Sequence, residues 1–158
     1  MTASIRTQYV GLLTKEAANQ GVDPKLADSI IQVESGWDPW AMRFEPNFTS
    51  FIDQAKFAAL NGITIETEKI CQRSSWGLGQ IMGQTARWLK YQGPISQLCE
   101  PETGILYCLK YLAELATRLS RIEDMAAAYN AGGVKFDADG KYKNQVYVDR
   151  VMSRYGKL

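Results

Sequence analysis

Residues 23–37 read DPKLADSIIQVESGW and predict a helix with a clear beginning and end. Asp23 is a typical N-cap, and Pro24 suits the first helical position because its missing N–H would have no partner there. Gly36 is a typical residue for ending a helix. The apolar positions recur at helical spacing: Leu26, Ile30, Val33 and Trp37. We therefore expect a helix over 24–36 with one buried face.

Glu34 lies in the last turn of this predicted helix, beside the apolar stripe. The C-terminal end of a helix carries partial negative charge, and burial disfavours an ionised carboxyl group. Both effects raise the pKa of the carboxyl, so that it can hold a proton at neutral pH. A proton-donating carboxyl among aromatic side chains indicates a general acid that cleaves glycosidic bonds.

The composition predicts one domain, residues 1–158, with a hydrophobic core, because 46% of the 158 residues are hydrophobic. The net charge of +1 gives no electrostatic case for nucleic acid as the main partner. No apolar run is long enough for a transmembrane helix, and the amino terminus lacks a secretory pattern. We therefore expect a monomer made in the cytoplasm without a signal peptide and not inserted in a membrane.

Histidine is absent from the chain, which excludes Ser-His-Asp hydrolases, Cys-His proteases and His-ligated zinc enzymes. The three cysteines, Cys71, Cys99 and Cys108, are odd in number and have no CxxC spacing. Two alternatives remain for them, buried free thiols or a bridge between Cys71 and Cys99. Carboxylates and hydroxyls are left for chemistry, and we expect neither a metal nor an organic cofactor.

Helical patterns dominate the chain and predict an all-α fold. They cover 3–20, 24–36, 48–60, 78–90, 102–120, 122–131 and 143–155. Pro101 marks the start of the long helix. Residues 61–71 give a weak indication of extended structure, and residues 132–143 predict a loop because they are rich in glycine and aspartate.

Three short stretches occur in a characteristic order along the chain. They are ESGWDP at 34–39, SWGLGQIM at 75–82 and AAAYNAG at 126–132, and YVDRV follows at 147–151. In this order they resemble the soluble lytic transglycosylase and goose-type lysozyme superfamily, over about residues 20–155. The resemblance implies a lysozyme-like all-α fold and peptidoglycan glycan strands as the partner. The chain also resembles a phage endolysin, which is made in the cytoplasm and reaches the bacterial wall through a membrane lesion. The alternative context is a virion-associated or secretion-system wall enzyme.

The resemblance also implies residue roles. The Glu before Ser in the first stretch is the family's catalytic acid, which corresponds to Glu34. The residues implied to contact the substrate are Ser75, Gly77, Leu78, Gln80, Met82, Tyr129, Asn130 and Tyr147. The glycines would let backbone amides approach acetamido groups, and Trp37 and Tyr129 would offer flat faces to sugar rings. Core packing is the alternative for the apolar and aromatic members. Gly79 stands where Met is common in the family, so we expect more space in the cleft wall.

Residues 41–74 make the chain longer between the first two stretches than a typical bacterial soluble transglycosylase. In goose-type lysozymes this region holds acidic residues thought to handle water, so the resemblance makes Glu45 a candidate second catalytic carboxylate. The alternative is that Glu45 pairs with Arg43 or Arg73 and stiffens the cleft. Weaker candidates for the same role are Asp38, Asp53, Glu66 and Glu68. A base about 6.5–9.5 Å from the acid would give hydrolysis with inversion. Without a base, the sugar's own hydroxyl would attack and leave a 1,6-anhydro end.

The sequence therefore predicts a muramidase that breaks the β-1,4 bond between N-acetylmuramic acid and N-acetylglucosamine by general acid catalysis. Two alternatives stay open at this point. One is a glycan-binding module without turnover, and the other is a glycoside hydrolase directed at chitin.

Overall fold

The computed structural model describes residues 4–158, and helices account for most of them. The α-helices are α1 (Ile5–Gln20), α2 (Pro24–Glu34), α3 (Gln54–Asn61), α4 (Ile65–Gln72), α5 (Gly83–Trp88), α6 (Pro101–Ala116), α7 (Ile122–Ala131) and α8 (Gln145–Tyr155). A 3-10 helix, Ile95–Cys99, precedes α6. The predicted all-α class is confirmed. Position 3, where the first helix was expected to start, lies outside the described residues.

Helix α2 forms where the sequence predicts it. The side chain of Asp23 accepts a hydrogen bond of 2.9 Å from the backbone N–H of Lys25, and Pro24 is the first helical residue. The helix ends at Glu34, two residues earlier than expected, because the backbone turns to positive φ at Gly36. The candidate acid is thus the last residue of the helix.

Three short strands form a small antiparallel sheet in the order β1-β2-β3. They are β1 (Met42–Phe44), β2 (Ser74–Trp76) and β3 (Ile81–Met82). Arg43 pairs with Ser75, and Ser75 pairs with Met82, so these three residues lie side by side across the sheet. The predicted helix over 78–90 is wrong in its first part, because residues 77–80 form the turn between β2 and β3 instead.

Two further predictions between the first two sequence stretches are wrong. The helix expected over 48–60 begins only at Gln54. Residues 61–71, expected to be extended, are mostly helical instead, because α4 covers Ile65–Gln72. The hydroxyl of Thr64 caps this helix by accepting from the backbone N–H of Thr67, and Glu66 lies in its first turn, where a carboxylate stabilises the helix dipole. These local signals outweigh the β-branched residues that suggested a strand.

Helix α6 lies in the middle of the core and packs against α1, α7 and the 3-10 helix, while α2 packs against α8. Ile105, Leu109 and Leu112 on α6 are buried. Cys108 is buried beside them, and all three cysteines of the chain are free thiols, so the bridge considered for Cys71 and Cys99 is not formed. Within residues 4–158, no helix is both long enough and apolar enough to cross a membrane.

A buried ion pair joins the 41–74 segment to the rest of the fold. Glu68 on α4 and Arg87 on α5 are both fully buried, and Arg87 donates two hydrogen bonds, of 2.8 and 3.0 Å, to the two carboxylate oxygens. The side chain of Gln72 donates to Glu68 and to the carbonyl of Ile52, and the ring of Phe57 on α3 lies 4.2 Å from the guanidinium. Glu68 therefore has a structural role, which removes it as a candidate base.

Candidate active site

A cavity of about 750 Å³ opens beside the sheet. It is lined by the end of α2, by all three strands or the turns next to them, and by α5, α6 and α7. Seven of the predicted site residues line it: Glu34, Glu45, Ser75, Gln80, Met82, Tyr129 and Asn130. Residues that are far apart in sequence thus meet around one space, as expected for a glycan cleft.

Glu34 is half-buried at one side of the cavity, and the hydroxyl of Tyr147 donates a hydrogen bond of 2.6 Å to its Oε1. Burial raises the pKa of Glu34, because the charged carboxylate is poorly solvated. The hydrogen bond from Tyr147 and the positive charges of Arg43 and Arg150 act in the opposite direction but do not cancel this effect. The predicted direction of the pKa shift is confirmed, so the carboxyl is suited to hold and donate a proton.

Two contacts fix the position of Glu34. The hydroxyl of Ser35, the next residue, donates a hydrogen bond of 2.8 Å to the carbonyl of Leu78 and so ties the end of α2 to the turn between β2 and β3. Tyr147 holds the carboxyl from the other side, because α8 packs against α2. Tyr147 does not line the cavity itself, so its contact with the acid is its visible role. The sequence analysis missed the positioning role of Ser35.

The turn between β2 and β3 corrects two expectations. Gly77 has φ 67°, and a Cβ there would lie 2.1 Å from the carbonyl oxygen of Leu98, so only glycine fits. The side chain of Leu78 is fully buried. Both residues therefore pack in the interior, and neither lines the cavity. Gln80 does line the cavity, and its Nε2 donates to the carbonyls of Ala41 and Gly77. That arrangement leaves Oε1 of Gln80 to accept from a ligand.

The expectation of extra space at Gly79 is wrong. A Cβ on Gly79 would lie 2.8 Å from Cβ of Cys108 and 2.8 Å from the hydroxyl oxygen of Tyr129. That hydroxyl donates a hydrogen bond of 2.7 Å to the carbonyl of Gly79, and the Tyr129 ring packs at a tilt against Tyr111, with 5.1 Å between ring centroids. Tyr129 thus fills the position and forms part of the cavity wall, although most of its surface is buried.

Of the two aromatic residues that the sequence suggested for the cavity, Tyr129 lines it and Trp37 does not. Trp37 is only 5% exposed, and its Nε1 donates to the carboxylate of Asp28, so it is a core residue. Trp88 at the end of α5 is 39% exposed and lines the cavity. Trp88 lies three residues after Thr85 on α5, and both residues line the cavity. Trp88 offers an apolar ring to a sugar.

Glu45 lines the same cavity as Glu34 and forms an ion pair with Arg43, which lies two residues earlier in the chain. Of the two partners considered for it, the structure shows Arg43, while Arg73 contributes only a backbone carbonyl to the N–H of Glu45. A role of Glu45 as a base stays a prediction. The weaker candidates Asp38, Asp53, Glu66 and Glu68 do not line the cavity.

The remaining predicted residues present polar groups to the cavity. The hydroxyl of Ser75 lies 3.3 Å from the sulfur of Met82, across the β2–β3 pair. Asn130 is exposed, and its Oδ1 accepts from the side chain of Asn144. Within residues 4–158, no group of three or more Cys, Asp or Glu side chains is arranged to hold a metal ion.

Comparison with known families agrees with this geometry. Residues 11–148 match the transglycosylase SLT domain, which is most of the chain. The chain therefore belongs to the transglycosylase SLT domain family, whose members are peptidoglycan-cleaving lytic transglycosylases. The predicted superfamily and its lysozyme-like all-α fold are confirmed. No curated protein and no solved structure matches the chain.

Proposed function

We propose that this chain cuts the β-1,4 bond between N-acetylmuramic acid and N-acetylglucosamine by lytic transglycosylation, with Glu34 as the general acid. The observation that carries the proposal is the carboxyl of Glu34, half-buried, raised in pKa and oriented by Tyr147 at the edge of a cavity large enough for sugar rings. A protonated carboxyl at that place has the chemistry needed to assist the departure of a sugar oxygen.

The reaction takes two proton transfers through one residue. Oε1 of Glu34 accepts from Tyr147, so Oε2 carries the proton of the acid form. Glu34 gives this proton to the glycosidic oxygen as the bond from that oxygen to the anomeric carbon breaks. The 6-hydroxyl of the muramic acid then attacks the anomeric carbon and returns its proton to the Glu34 carboxylate. The products are a 1,6-anhydro end and a free 4-hydroxyl, and no water is consumed.

The ion pair between Glu45 and Arg43 supports transglycosylation over hydrolysis. Hydrolysis with inversion needs a second carboxylate that takes a proton from water. Among the described residues, Glu34 and Glu45 are the only carboxylates that line the cavity. Arg43 already donates a hydrogen bond to Oε1 of Glu45 in their ion pair, so this oxygen is engaged and is not free to take a proton from water. Hydrolysis is the second candidate, because Glu45 does share the cavity with the acid.

Product analysis tests the proposal. Purified peptidoglycan is digested by the wild type and by Glu45→Gln, with Glu66→Gln, an exposed change outside the cavity, as the matched control. Mass spectrometry should find anhydro-muropeptides with all three proteins. Reducing ends that disappear in Glu45→Gln alone would contradict transglycosylation and make Glu45 the base of a hydrolase. Release of sugars from chitin oligomers, with peptidoglycan untouched, would contradict the substrate.

The endolysin context is a separate proposal that rests on the resemblance. If the chain is a phage endolysin, its expression together with a membrane-permeabilising agent should lyse the expressing cells. Unchanged turbidity, with active protein recovered from the same cells, would contradict that context while leaving the proposed reaction in place.

A further inference from the structure

A second concave surface lies between α2 and α8 and is separate from the Glu34 cavity. It is a groove of about 420 Å³, and none of its lining residues lines the larger cavity. Val33 contributes to the groove and directly precedes Glu34 on α2. Arg150 contributes to it from α8, three residues after Tyr147. Helices α2 and α8 therefore carry Glu34 and Tyr147 and also form the walls of this groove.

Three cations, two on α8 and one just beyond its end, line the groove without forming an ion pair to another described residue. Arg150 and Arg154 are four residues apart and lie on one side of α8, and Lys157 follows two residues after the helix ends at Tyr155. None of the three side chains forms an ion pair with another residue of the 4–158 range. The one carboxylate of the groove, Asp149, accepts a hydrogen bond of 2.9 Å from the side chain of Gln145. The groove therefore has an excess of positive charge that attracts anionic groups.

The rest of the lining is apolar or able to form hydrogen bonds. Val146 is 75% exposed, and Val33 is partly exposed beside it in the groove. Gln32 and Ser153 supply hydrogen-bonding side chains. A phosphate polymer would gain nothing from the valines and would be repelled by Asp149, and a neutral sugar would gain nothing from the cations. Methyl groups, carboxylates and an amine together match all parts of the lining.

We infer that this groove binds a short acidic peptide. The carboxylates would lie at Arg150, Arg154 and Lys157, small methyl side chains at the two valines, and an amine at Asp149. The inference deepens the proposed function and rests on it for the identity of the peptide, because the stem peptides of peptidoglycan are acidic and rich in alanine. A stem would lie in the groove while its glycan strand lies in the Glu34 cavity.

A titration with a free stem peptide tests the inference. The probe is N-acetyl-L-Ala-γ-D-Glu-L-Lys-D-Ala-D-Ala, whose two carboxylates and one amine give it a net negative charge, and binding is followed by amide chemical shifts of the full chain. We expect shifts at the groove residues of α2 and α8, and binding about two- to thirtyfold weaker in Arg154→Ala/Lys157→Ala, because two exposed ionic contacts are lost. Arg150 is left unchanged because its charge acts on Glu34.

The control variant is Lys15→Ala, which removes an exposed cation on α1 outside both cavities and should bind like the wild type. Cations at the end of α8 also offset the helix dipole, so the thermal midpoint of the double variant is measured to show that it is folded at the titration temperature. Inorganic polyphosphate is titrated in parallel and should bind more weakly than the peptide.

Three results would overturn the inference: no shifts at the groove, equal peptide affinity in the double variant, or tighter binding of polyphosphate than of the peptide at the same residues. Chemical-shift changes confined to the residues around Glu34 would also mean that the peptide does not bind in the groove. The titration needs no turnover and can be repeated with Glu34→Gln. The titration therefore tests peptide binding at the groove, while the product analysis separately tests the proposed cleavage reaction.

Discussion

Tyr147 and Glu34 are 113 positions apart in the chain and are joined by a hydrogen bond of 2.6 Å from the tyrosine hydroxyl to Oε1 of the carboxyl. Burial raises the pKa of Glu34, and this bond moderates the rise while it orients the group. Burial and the nearby carboxyl also raise the pKa of Tyr147, so the tyrosine stays a protonated donor. The packing of α8 on α2 therefore sets both the position and the protonation of the acid.

Tyr147→Phe removes this donor and should change the pH dependence of cleavage. Glu34 must be protonated to act, so kcat/KM falls as the pH rises through its pKa. Without the bond, burial acts with less opposition and the pKa of Glu34 rises further. We expect the decline to move to higher pH and the maximal rate to fall by roughly tenfold, a fraction of the 10²–10⁴ that a positioned acid supplies. The measurement is a pH profile of kcat/KM.

The matched control is Tyr155→Phe on the same helix, which removes a hydroxyl bonded to Asp23, away from the acid. Its pH profile should coincide with that of the wild type. Equal profiles for the wild type and Tyr147→Phe would show that the bond does not tune the acid.

Glu34→Gln should stabilise the protein at neutral pH but not in acid. The pKa of Glu34 is higher in the folded chain than in the unfolded chain, so ionisation favours unfolding. The wild type keeps its full stability below the unfolded pKa and loses part of it as the pH rises through the folded pKa. The loss is about 1.4 kcal/mol for each pH unit that separates the two pKa values. Urea unfolding at pH 3.5 and pH 7 measures it, and a difference between the proteins that is the same at both pH values would refute this explanation.

The buried pair of Glu68 and Arg87 should be needed for the stability of the fold around the 41–74 segment. Glu68→Ala leaves the guanidinium buried without a counter-charge and should lower the free energy of unfolding by about 3–5 kcal/mol. The comparison is Glu66→Ala, which breaks an exposed pair with Lys69 on the same helix and should cost about 0.5 kcal/mol or less. Urea unfolding compares the two variants. Similar losses in both would contradict a special role for the buried pair.

Gly79→Ala should be destabilising by about 1–3 kcal/mol, because its Cβ would meet Cys108 and the Tyr129 hydroxyl at 2.8 Å. Gly11 provides the opposite case, since it lies within α1 with no atom near the position of an added Cβ. Gly11→Ala should stabilise the protein by about 0.5–1 kcal/mol. Thermal unfolding measures both changes, and a tolerated Gly79→Ala would show that the wall around Tyr129 can move.

Local signals made some elements predictable. Asp23 and Pro24 mark the start of α2, and Pro101 marks the start of α6, because caps and fixed φ act within a few residues. The raised pKa of Glu34 was predictable for the same reason, since its apolar neighbours lie on its own helix. The cleft members found through the resemblance, among them Gln80, depended on motif order and not on local physics.

Long-range contacts account for what the sequence did not reveal. The turn between β2 and β3 depends on a positive φ at Gln80. A glutamine does not predict this conformation, because positive φ is uncommon in residues other than glycine. The space beside Gly79 is filled by Tyr129 from 50 positions away. Trp88 lines the cavity and Trp37 does not, because the burial of each ring depends on how the helices pack. These features are set by tertiary structure.

The most direct test of the account is the turnover of purified peptidoglycan by Glu34→Gln, with Glu66→Gln as the exposed control. Glutamine keeps the shape of the side chain and can still accept from Tyr147, but it has no acidic proton. The account predicts a loss of at least about 10²-fold in the rate of glycan cleavage, with the fold unchanged by circular dichroism. A rate for Glu34→Gln within tenfold of the wild type would contradict it.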